Sequence, residues 1–191
     1  MKKSILLITI FLCAVVCIAP ACKKKTEDPI SQLPAATQTG ANTFGALVNG
    51  EAFTPHSNLF GAAPYQCNYI YLNGGYYLTV AGNNKTGDNS ATQIIIGTTN
   101  LPIAQGQTYK LDSYNVSGKA FGEYSSFTTS NSGVFSALYY NTTTTIAGQL
   151  YISHFDPTNQ IVSGTFFFDA VDPSGDVIHV TDGRFDMKYT Q

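Results

Sequence analysis

The chain of 191 residues contains no tryptophan, few charged side chains (12%) and only four cysteines. Cys13 and Cys17 lie in an apolar N-terminal run and Cys22 follows it, so Cys67 is the only cysteine in the rest of the chain. A single cysteine cannot form an internal disulfide, which excludes a disulfide-stabilised scaffold. Because no base or cation lies beside Cys67 in sequence, we expect it to be a small buried core residue.

Positive charge is also scarce. From Thr43 to Gln191 there are ten acids and five bases, and Arg184 is the only arginine, which gives this region a formal net charge of −5. A protein that binds a phosphate backbone needs a basic surface. The composition therefore excludes nucleic acid as a partner.

No motif for catalysis, a cofactor or a metal is present. His56, His154 and His179 are not spaced as zinc ligands, and the sequence has no Gly-x-Ser-x-Gly elbow. The segments 156–159 and 172–175 are typical of turns and have too few alternating oxygen ligands for a calcium loop. We therefore predict no catalytic residues, no cofactor and no metal site.

The N-terminus has the pattern of an export signal. Lys2 and Lys3 precede an apolar run from Ile5 to Ile18, which is long enough for a signal-peptide core and shorter than the ~20 residues of a membrane-spanning helix. Small residues at Ala19 and Ala21 then precede Cys22. The sequence predicts a signal peptide over residues 1–21.

The segment around Cys22 resembles the lipobox of bacterial lipoproteins, in which the cysteine after the cleavage site is acylated. Ala19 stands where that motif favours leucine, and Pro20 is unusual there. An ordinary signal peptidase could also cut after Ala21 and leave Cys22 unmodified. The resemblance implies lipid attachment at Cys22, with the membrane as partner and the cell envelope as location, on the periplasmic face or the surface of the outer membrane.

The composition divides the mature chain into a tether and one domain. Residues 22–42 are rich in Lys, Thr, Pro, Ala and Gln without clear periodicity, which predicts a lipidated cysteine and a tether. Residues 43–191 are long enough for a single domain with its own core.

Period-two alternation and turn residues indicate that this domain is all β. We expect an antiparallel β-sandwich or a flattened β-barrel of about 11 to 12 strands. The predicted strands are 43–48, 51–54, 67–73, 76–82, 92–98, 107–111, 120–125, 134–140, 145–155, 160–171, 176–181 and 184–189. Segments 83–91 and 126–133 are predicted to be mobile loops.

Turn signals place the strand ends. Asn49-Gly50 and Asp182-Gly183 are typical of two-residue hairpin turns, and Asn73-Gly74-Gly75 marks another reversal. After Asp182-Gly183, alternation predicts that Phe185 and Met187 are buried. Arg184, Asp186 and Lys188 are expected on the exposed face.

Several motifs resemble a family of small bacterial lipoproteins of unknown function. They are Gln149-Leu150-Tyr151-Ile152, Ile161-Val162-Ser163-Gly164-Thr165-Phe166, Thr181-Asp182-Gly183-Arg184-Phe185 and the run from Leu33 through Val48-Asn49-Gly50. The resemblance covers about residues 33–191. It implies no activity, but it does imply that residues 33–42 are ordered against the domain.

Tyrosine is abundant, and all twelve tyrosines lie in the domain, including Tyr65, Tyr69, Tyr71, Tyr76, Tyr77, Tyr139 and Tyr140. Adjacent tyrosines in a strand point to opposite faces, so some rings are expected to be exposed. This pattern favours a non-catalytic binding module for a glycan, a protein or a small ligand. A structural envelope protein without a ligand and a hydrolase are the alternatives.

Overall fold

A computed structural model describes residues 27–56 and 63–191, so the predicted signal peptide and Cys22 lie outside the described residues. The all-β prediction is confirmed: the only helix within the described ranges is a 3-10 turn, Pro29–Gln32. The eleven strands are β1 (Thr43–Val48), β2 (Glu51–Phe53), β3 (Tyr65–Leu72), β4 (Gly75–Gly87), β5 (Ser90–Thr99), β6 (Thr108–Leu111), β7 (Lys119–Thr129), β8 (Phe135–Asn141), β9 (Gly148–Asp156), β10 (Ile161–Val171) and β11 (Val177–Lys188).

The strands form one sheet in the order β2-β1-β11-β10-β9-β6-β7-β5-β4-β3. β8 pairs with β7 over most of its length and with β10 at one residue. β6 and β8 therefore follow one another along the same edge of β7. The named strands pair antiparallel, except at the single parallel bridge between β6 and β7. Short turns between neighbouring strands account for this arrangement, because antiparallel strands can be joined by hairpins.

The sheet folds back on itself around one core. Thr190, just after β11, exchanges backbone hydrogen bonds with Cys67 and Tyr69 of β3. This joins β3, at one end of the strand order, to the chain that follows β11, the third strand from the other end. Phe44 of β1 packs so closely over Gly82 of β4 that a Cβ at Gly82 would lie 2.7 Å from its ring. The two halves of the sheet therefore face each other across a shared apolar interior, as in a sandwich.

Two of the predicted hairpin turns are confirmed. Asn49 and Gly50 have φ of 50° and 84° between the paired residues Val48 and Glu51. Asn73 and Gly74 have the same signs of φ between β3 and β4. Positive φ at both central residues is the requirement of a type I′ turn, which asparagine and glycine meet with least strain.

The prediction of a hairpin at Asp182-Gly183 is wrong, because both residues lie inside the continuous strand β11. Asp182 has a φ of 53°, and the register of β11 shifts here against both β1 and β10, so the two residues form a bulge. Glycine is required at 183, since a Cβ would lie 2.5 Å from the ring of Phe166. A bulge and a type I′ turn share the same Asp-Gly signal, which explains the error.

The mobile loops predicted at 83–91 and 126–133 are also largely wrong. β4 and β5 continue pairing to Gly87 and Ser90, and β5 pairs with β7 as far as Thr128. These strand ends project beyond the core, so they need no apolar alternation. Their polar composition is the same as that of loops, which is why the sequence pattern does not distinguish the two.

Residues 33–41, here named the strap, are packed against β11. Leu33 and Gly40 are buried, and Asp186 of β11 is completely buried beneath the strap. The carboxylate of Asp186 accepts hydrogen bonds from Thr37 Oγ1 (2.7 Å), from Thr39 through N (2.9 Å) and Oγ1 (3.2 Å), from Gly40 N (2.7 Å) and from Ala41 N (3.2 Å). Ser163 Oγ of β10 donates the sixth, at 2.8 Å. We name this arrangement the Asp186 clasp.

The clasp overturns the expectation that Asp186 is exposed, because alternation cannot reveal that a distant segment covers the outer face. Arg184, whose Nη1 donates to the Pro34 carbonyl, is half-buried for the same reason, whereas Lys188 is exposed as predicted. Burial alone would raise the pKa of Asp186, but the hydrogen bonds from Thr37, Thr39, Ser163 and Gly40 outweigh it and hold that pKa far below its usual range.

Candidate functional site

An open groove lined by aromatic rings lies at one end of the folded sheet. In the middle of β3 and β4, the inward face carries core residues such as Cys67, Leu78 and Val80. Toward the β3–β4 turn, the same face carries Tyr69, Tyr71 and Tyr76. Tyr69 is buried and packs in the core, whereas Tyr71 and Tyr76 are exposed, so the three rings line an opening where the core meets solvent.

Rings from distant parts of the chain complete this site, which we name the tyrosine groove. Phe155 near the end of β9 and Tyr189 after β11 stack on each other with centroids 6.0 Å apart. Both rings meet Tyr69 edge to face, at 5.3 Å and 5.8 Å. The positions of Phe155 and Tyr189 are fixed by the pairing of β10 with both β9 and β11 and by the bridge from Thr190 to β3.

Two tyrosines form the exposed wall of the groove. Tyr71 and Tyr76 are direct partners across the β3–β4 hairpin, and their ring centroids are 4.9 Å apart. Tyr76 also stacks on Tyr69 at 5.3 Å and an interplanar angle of 15°. Tyr71 is 65% exposed and Tyr76 is 41% exposed, so both offer ring surface to a ligand.

The floor of the groove is held in place by hydrogen bonds. The Tyr69 hydroxyl accepts a hydrogen bond from Ile103 N at 3.3 Å, and Tyr189 N donates to the Gln160 carbonyl at 2.8 Å. Burial raises the pKa of Tyr69 and of Tyr189, so both hydroxyls stay protonated at neutral pH. The rings of Tyr69 and Tyr189 therefore form a fixed, uncharged floor next to the exposed rings of Tyr71 and Tyr76.

The groove encloses about 500 Å³, which is within the size range of small-molecule and cofactor sites. Its lining consists of the five rings together with Ile70, Pro157 and Gln191. No acidic or basic side chain is among these residues. The site is thus suited to an uncharged ligand that has flat apolar faces and can hydrogen-bond to tyrosine hydroxyls.

The other candidate residues lie apart from the groove or serve as turns. His56 is exposed before the undescribed segment 57–62, and His179 Nδ1 lies 2.7 Å from Asp169 Oδ1 on an exposed face. Asp156 caps its own turn by accepting from the backbone N of Thr158 and of Asn159, and Asp172 does the same for Ser174 and Asp176. Both segments are thus the turns that the sequence predicts.

Two further sequence expectations are confirmed. Cys67 is buried and unpaired, and burial raises the pKa of its thiol to about 12. The Tyr139-Tyr140 pair places one ring on each face of β8: Tyr140 packs against the core, while Tyr139 is exposed and contacts Phe127. The tyrosines are therefore divided between core, groove and isolated surface positions.

Part of the groove has a signal in the sequence. Tyr69 and Tyr71 continue the period-two face of Cys67, and the Asn73-Gly74 turn places Tyr71 opposite Tyr76. Phe155 and Tyr189 carry no such signal, because only the pairing of distant strands brings them to Tyr69.

Comparison with known proteins finds no matching family model, curated protein or solved structure. Within residues 27–56 and 63–191, no helix has the length and apolar character needed to cross a membrane. The same residues contain no group of three or more His, Cys, Asp or Glu side chains placed to hold a metal ion.

Proposed function

We propose that this chain is a non-catalytic binding module of the cell envelope, anchored by lipid at Cys22, which binds an uncharged oligosaccharide in the tyrosine groove. The observation that carries the proposal is the convergence of five rings from three separate parts of the chain on one opening.

The chemistry of the groove favours a sugar over the other ligands considered from sequence. Exposed ring faces such as those of Tyr71 and Tyr76 pack against the C–H faces of a pyranose, and their hydroxyls can donate to and accept from sugar hydroxyls. An anionic ligand would find no basic side chain in the lining. A purely apolar ligand would leave the tyrosine hydroxyls without partners.

The path of the strap supports a role at a distance from the membrane. The 3-10 helix, Pro29–Gln32, contacts β2, and Pro34 lies against Gly45 and Arg184. The chain then runs along β11 to the clasp at Asp186. Tyr189 and the groove lie farther along in the same direction, so an anchor at Cys22 would direct the groove away from the attached lipid.

We expect Tyr71→Ala and Tyr76→Ala each to weaken binding of a neutral oligosaccharide, and the double variant to weaken it about tenfold or more, because each aromatic contact contributes about 0.5–1.5 kcal/mol beyond area burial. Retention on an array of neutral glycans identifies the ligand, and calorimetry then measures Kd for each variant.

Tyr139→Ala is the matched control, since Tyr139 is an exposed tyrosine on β8 outside the groove. Equal losses of oligosaccharide affinity in Tyr139→Ala and Tyr71→Ala would contradict the proposed function. So would a wild-type chain that retains no neutral glycan. Tyr71→Phe separates the ring from the hydroxyl, because it retains stacking and removes one hydrogen-bonding group.

For the anchor, we expect Cys22→Ser to abolish incorporation of a fatty-acid probe and to release the chain from the membrane fraction. A single acyl chain binds a membrane only marginally, whereas several give stable attachment. Cys67→Ala is the control and should keep the label, because Cys67 is buried in the core. A wild-type chain that stays unlabelled would indicate cleavage by the ordinary signal peptidase.

A further inference from the structure

A second surface with ligand-binding character lies on the outer face of β9 and β10, away from the tyrosine groove. The inward residues of this strand pair, including Leu150 and Phe166, belong to the core. The outward residues are Gln149, Tyr151, Thr165 and Phe167, which we name the outer platform. Tyr151 is 41% exposed and Phe167 is 49% exposed.

Strand register arranges the platform as alternating rings and hydrogen-bonding side chains. Tyr151 pairs with Thr165, and Phe167 pairs with Gln149. Tyr151 and Phe167 are therefore diagonal neighbours across the two strands, about 7–8 Å apart. Each ring has an amide or a hydroxyl beside it, which is the combination that a sugar ring requires from a flat surface.

Phe167 stands between two shallow hollows. One, of about 350 Å³, is lined by Tyr151, Thr165 and Arg184 and is bordered by Ala36 of the strap. The other, of about 520 Å³, is lined by Thr108, Lys110 and Gln149. Gln149 and Phe167 line both hollows, so the surface is continuous across β6, β9, β10 and β11.

A cation lies at each end of this surface. Arg184 donates from Nε to the Asp182 carbonyl (3.2 Å) and from Nη1 to the Pro34 carbonyl (3.4 Å), which fixes its guanidinium and leaves other donors. Lys110 Nζ donates to the Thr144 carbonyl at 3.1 Å. Since β6 and β11 are three strand spacings apart, the two cations are separated by about 14 Å across the sheet.

Bases outnumber acids at the β6 end of the platform. Asp112 lies 3.7 Å from Lys110 and 3.3 Å from Lys119, so two lysines share one carboxylate at the β6 end. At the other end, Asp182 lines the same hollow as Arg184. Two of the five basic residues of an otherwise acidic domain thus border this one surface.

We propose that the outer platform binds an oligosaccharide that carries carboxylate groups, of the uronic-acid type. The chain of sugars lies across the strands from β6 to β11, with its rings on Phe167 and Tyr151 and its carboxylates near Lys110 and Arg184. An acidic peptide fits less well, because the surface is a flat central region of the sheet that offers neither a free strand edge nor a deep side-chain pocket.

The test is binding of the full-length chain, purified in detergent, to a short oligogalacturonate, with a neutral galactan of the same length and an oligoglutamate as comparison probes. Phe167→Ala and Tyr151→Ala are expected to weaken oligogalacturonate binding about fivefold or more. Lys110→Gln weakens it and reduces its dependence on salt between about 20 and about 300 mM sodium chloride. Asp182→Asn strengthens it, because it removes the acidic side chain that lines the same hollow as Arg184.

Tyr71→Ala separates this proposal from the proposed function, since it alters the tyrosine groove and is expected to leave oligogalacturonate binding unchanged. In the Tyr71→Ala variant, whose tyrosine groove is altered, binding of the neutral galactan or of oligoglutamate as tightly as oligogalacturonate would overturn the proposal. So would an unchanged Kd in Phe167→Ala, or weaker binding in Asp182→Asn, with circular dichroism confirming that each variant is folded.

Discussion

Asp186→Ala should lower the free energy of unfolding by about 3 kcal/mol or more. Hydrogen bonds to a charged group contribute about 1.5–3 kcal/mol each, and this carboxylate accepts six hydrogen bonds in a buried position. The sum is not lost in full, because water can reach the strap donors once the strap detaches. Chemical denaturation measures the change, and hydrogen exchange at the amides of Thr39, Gly40 and Ala41 shows whether the strap is released.

The stabilisation that ionised Asp186 gives the fold should decrease as the pH falls. Because the pKa of Asp186 is lower in the folded chain than the value of about 3.9 in an unfolded one, ionisation of Asp186 stabilises the fold fully above about pH 5. This contribution declines as the pH falls through the unfolded pKa toward the folded one. The difference in stability between the wild-type chain and Asp186→Asn should therefore shrink below about pH 4.

Asp88→Ala is the control for the clasp. Asp88 is fully exposed in the β4–β5 turn and pairs only loosely with Lys85, at 3.9 Å, so its loss should cost no more than about 0.5 kcal/mol. The clasp does not hold the strap if Asp88→Ala and Asp186→Ala lower the free energy of unfolding equally. The same conclusion follows if the stability difference between the wild-type chain and Asp186→Asn stays constant as the pH falls.

Phe185→Ala is expected to cost about 3–5 kcal/mol, the range for removing a buried phenylalanine ring. Phe185 is 2% exposed and pairs with Gly164 of β10, whose missing side chain leaves the space that the ring fills. The ring also packs against Phe166, with centroids 6.4 Å apart. A cavity at this point would remove core contacts between β11 and β10, and thermal or chemical unfolding would record the loss of stability.

Lys188→Ala is the comparison within the same strand. Lys188 is exposed, and its backbone N, which donates to Asn42 Oδ1, is retained in the variant. The expected cost is within about 0.5 kcal/mol. A larger effect at position 188 than at 185 would mean that the two faces of β11 are exchanged.

The strands are predictable from sequence because alternation and turn residues act over a few neighbouring positions. Phe166 and Phe168 in β10, and Leu150 and Ile152 in β9, are buried as their period-two pattern requires. Asp182-Gly183 is the instructive failure. Positive φ is encoded locally there, but only the partner strands decide whether the chain reverses or bulges.

The sites are less predictable because they depend on contacts between distant segments. Tyr71 and Tyr76 can be paired through the Asn73-Gly74 turn, but Phe155 and Tyr189 reach them only through the closure of the sheet at Thr190. The environment of Asp186 depends on donors about 150 positions earlier in the chain. No periodicity in the sequence records either contact.

The Asp186 clasp also determines how the domain responds to mechanical force. Tension applied to the chain before residue 33 reaches the strap first, and only then the start of β1 at Thr43. Five strap donors converge on one carboxylate, so a pull along β11 loads them together, whereas a zipper would open them one at a time. The clasp thus acts as a shear joint that bears tension before it reaches β1.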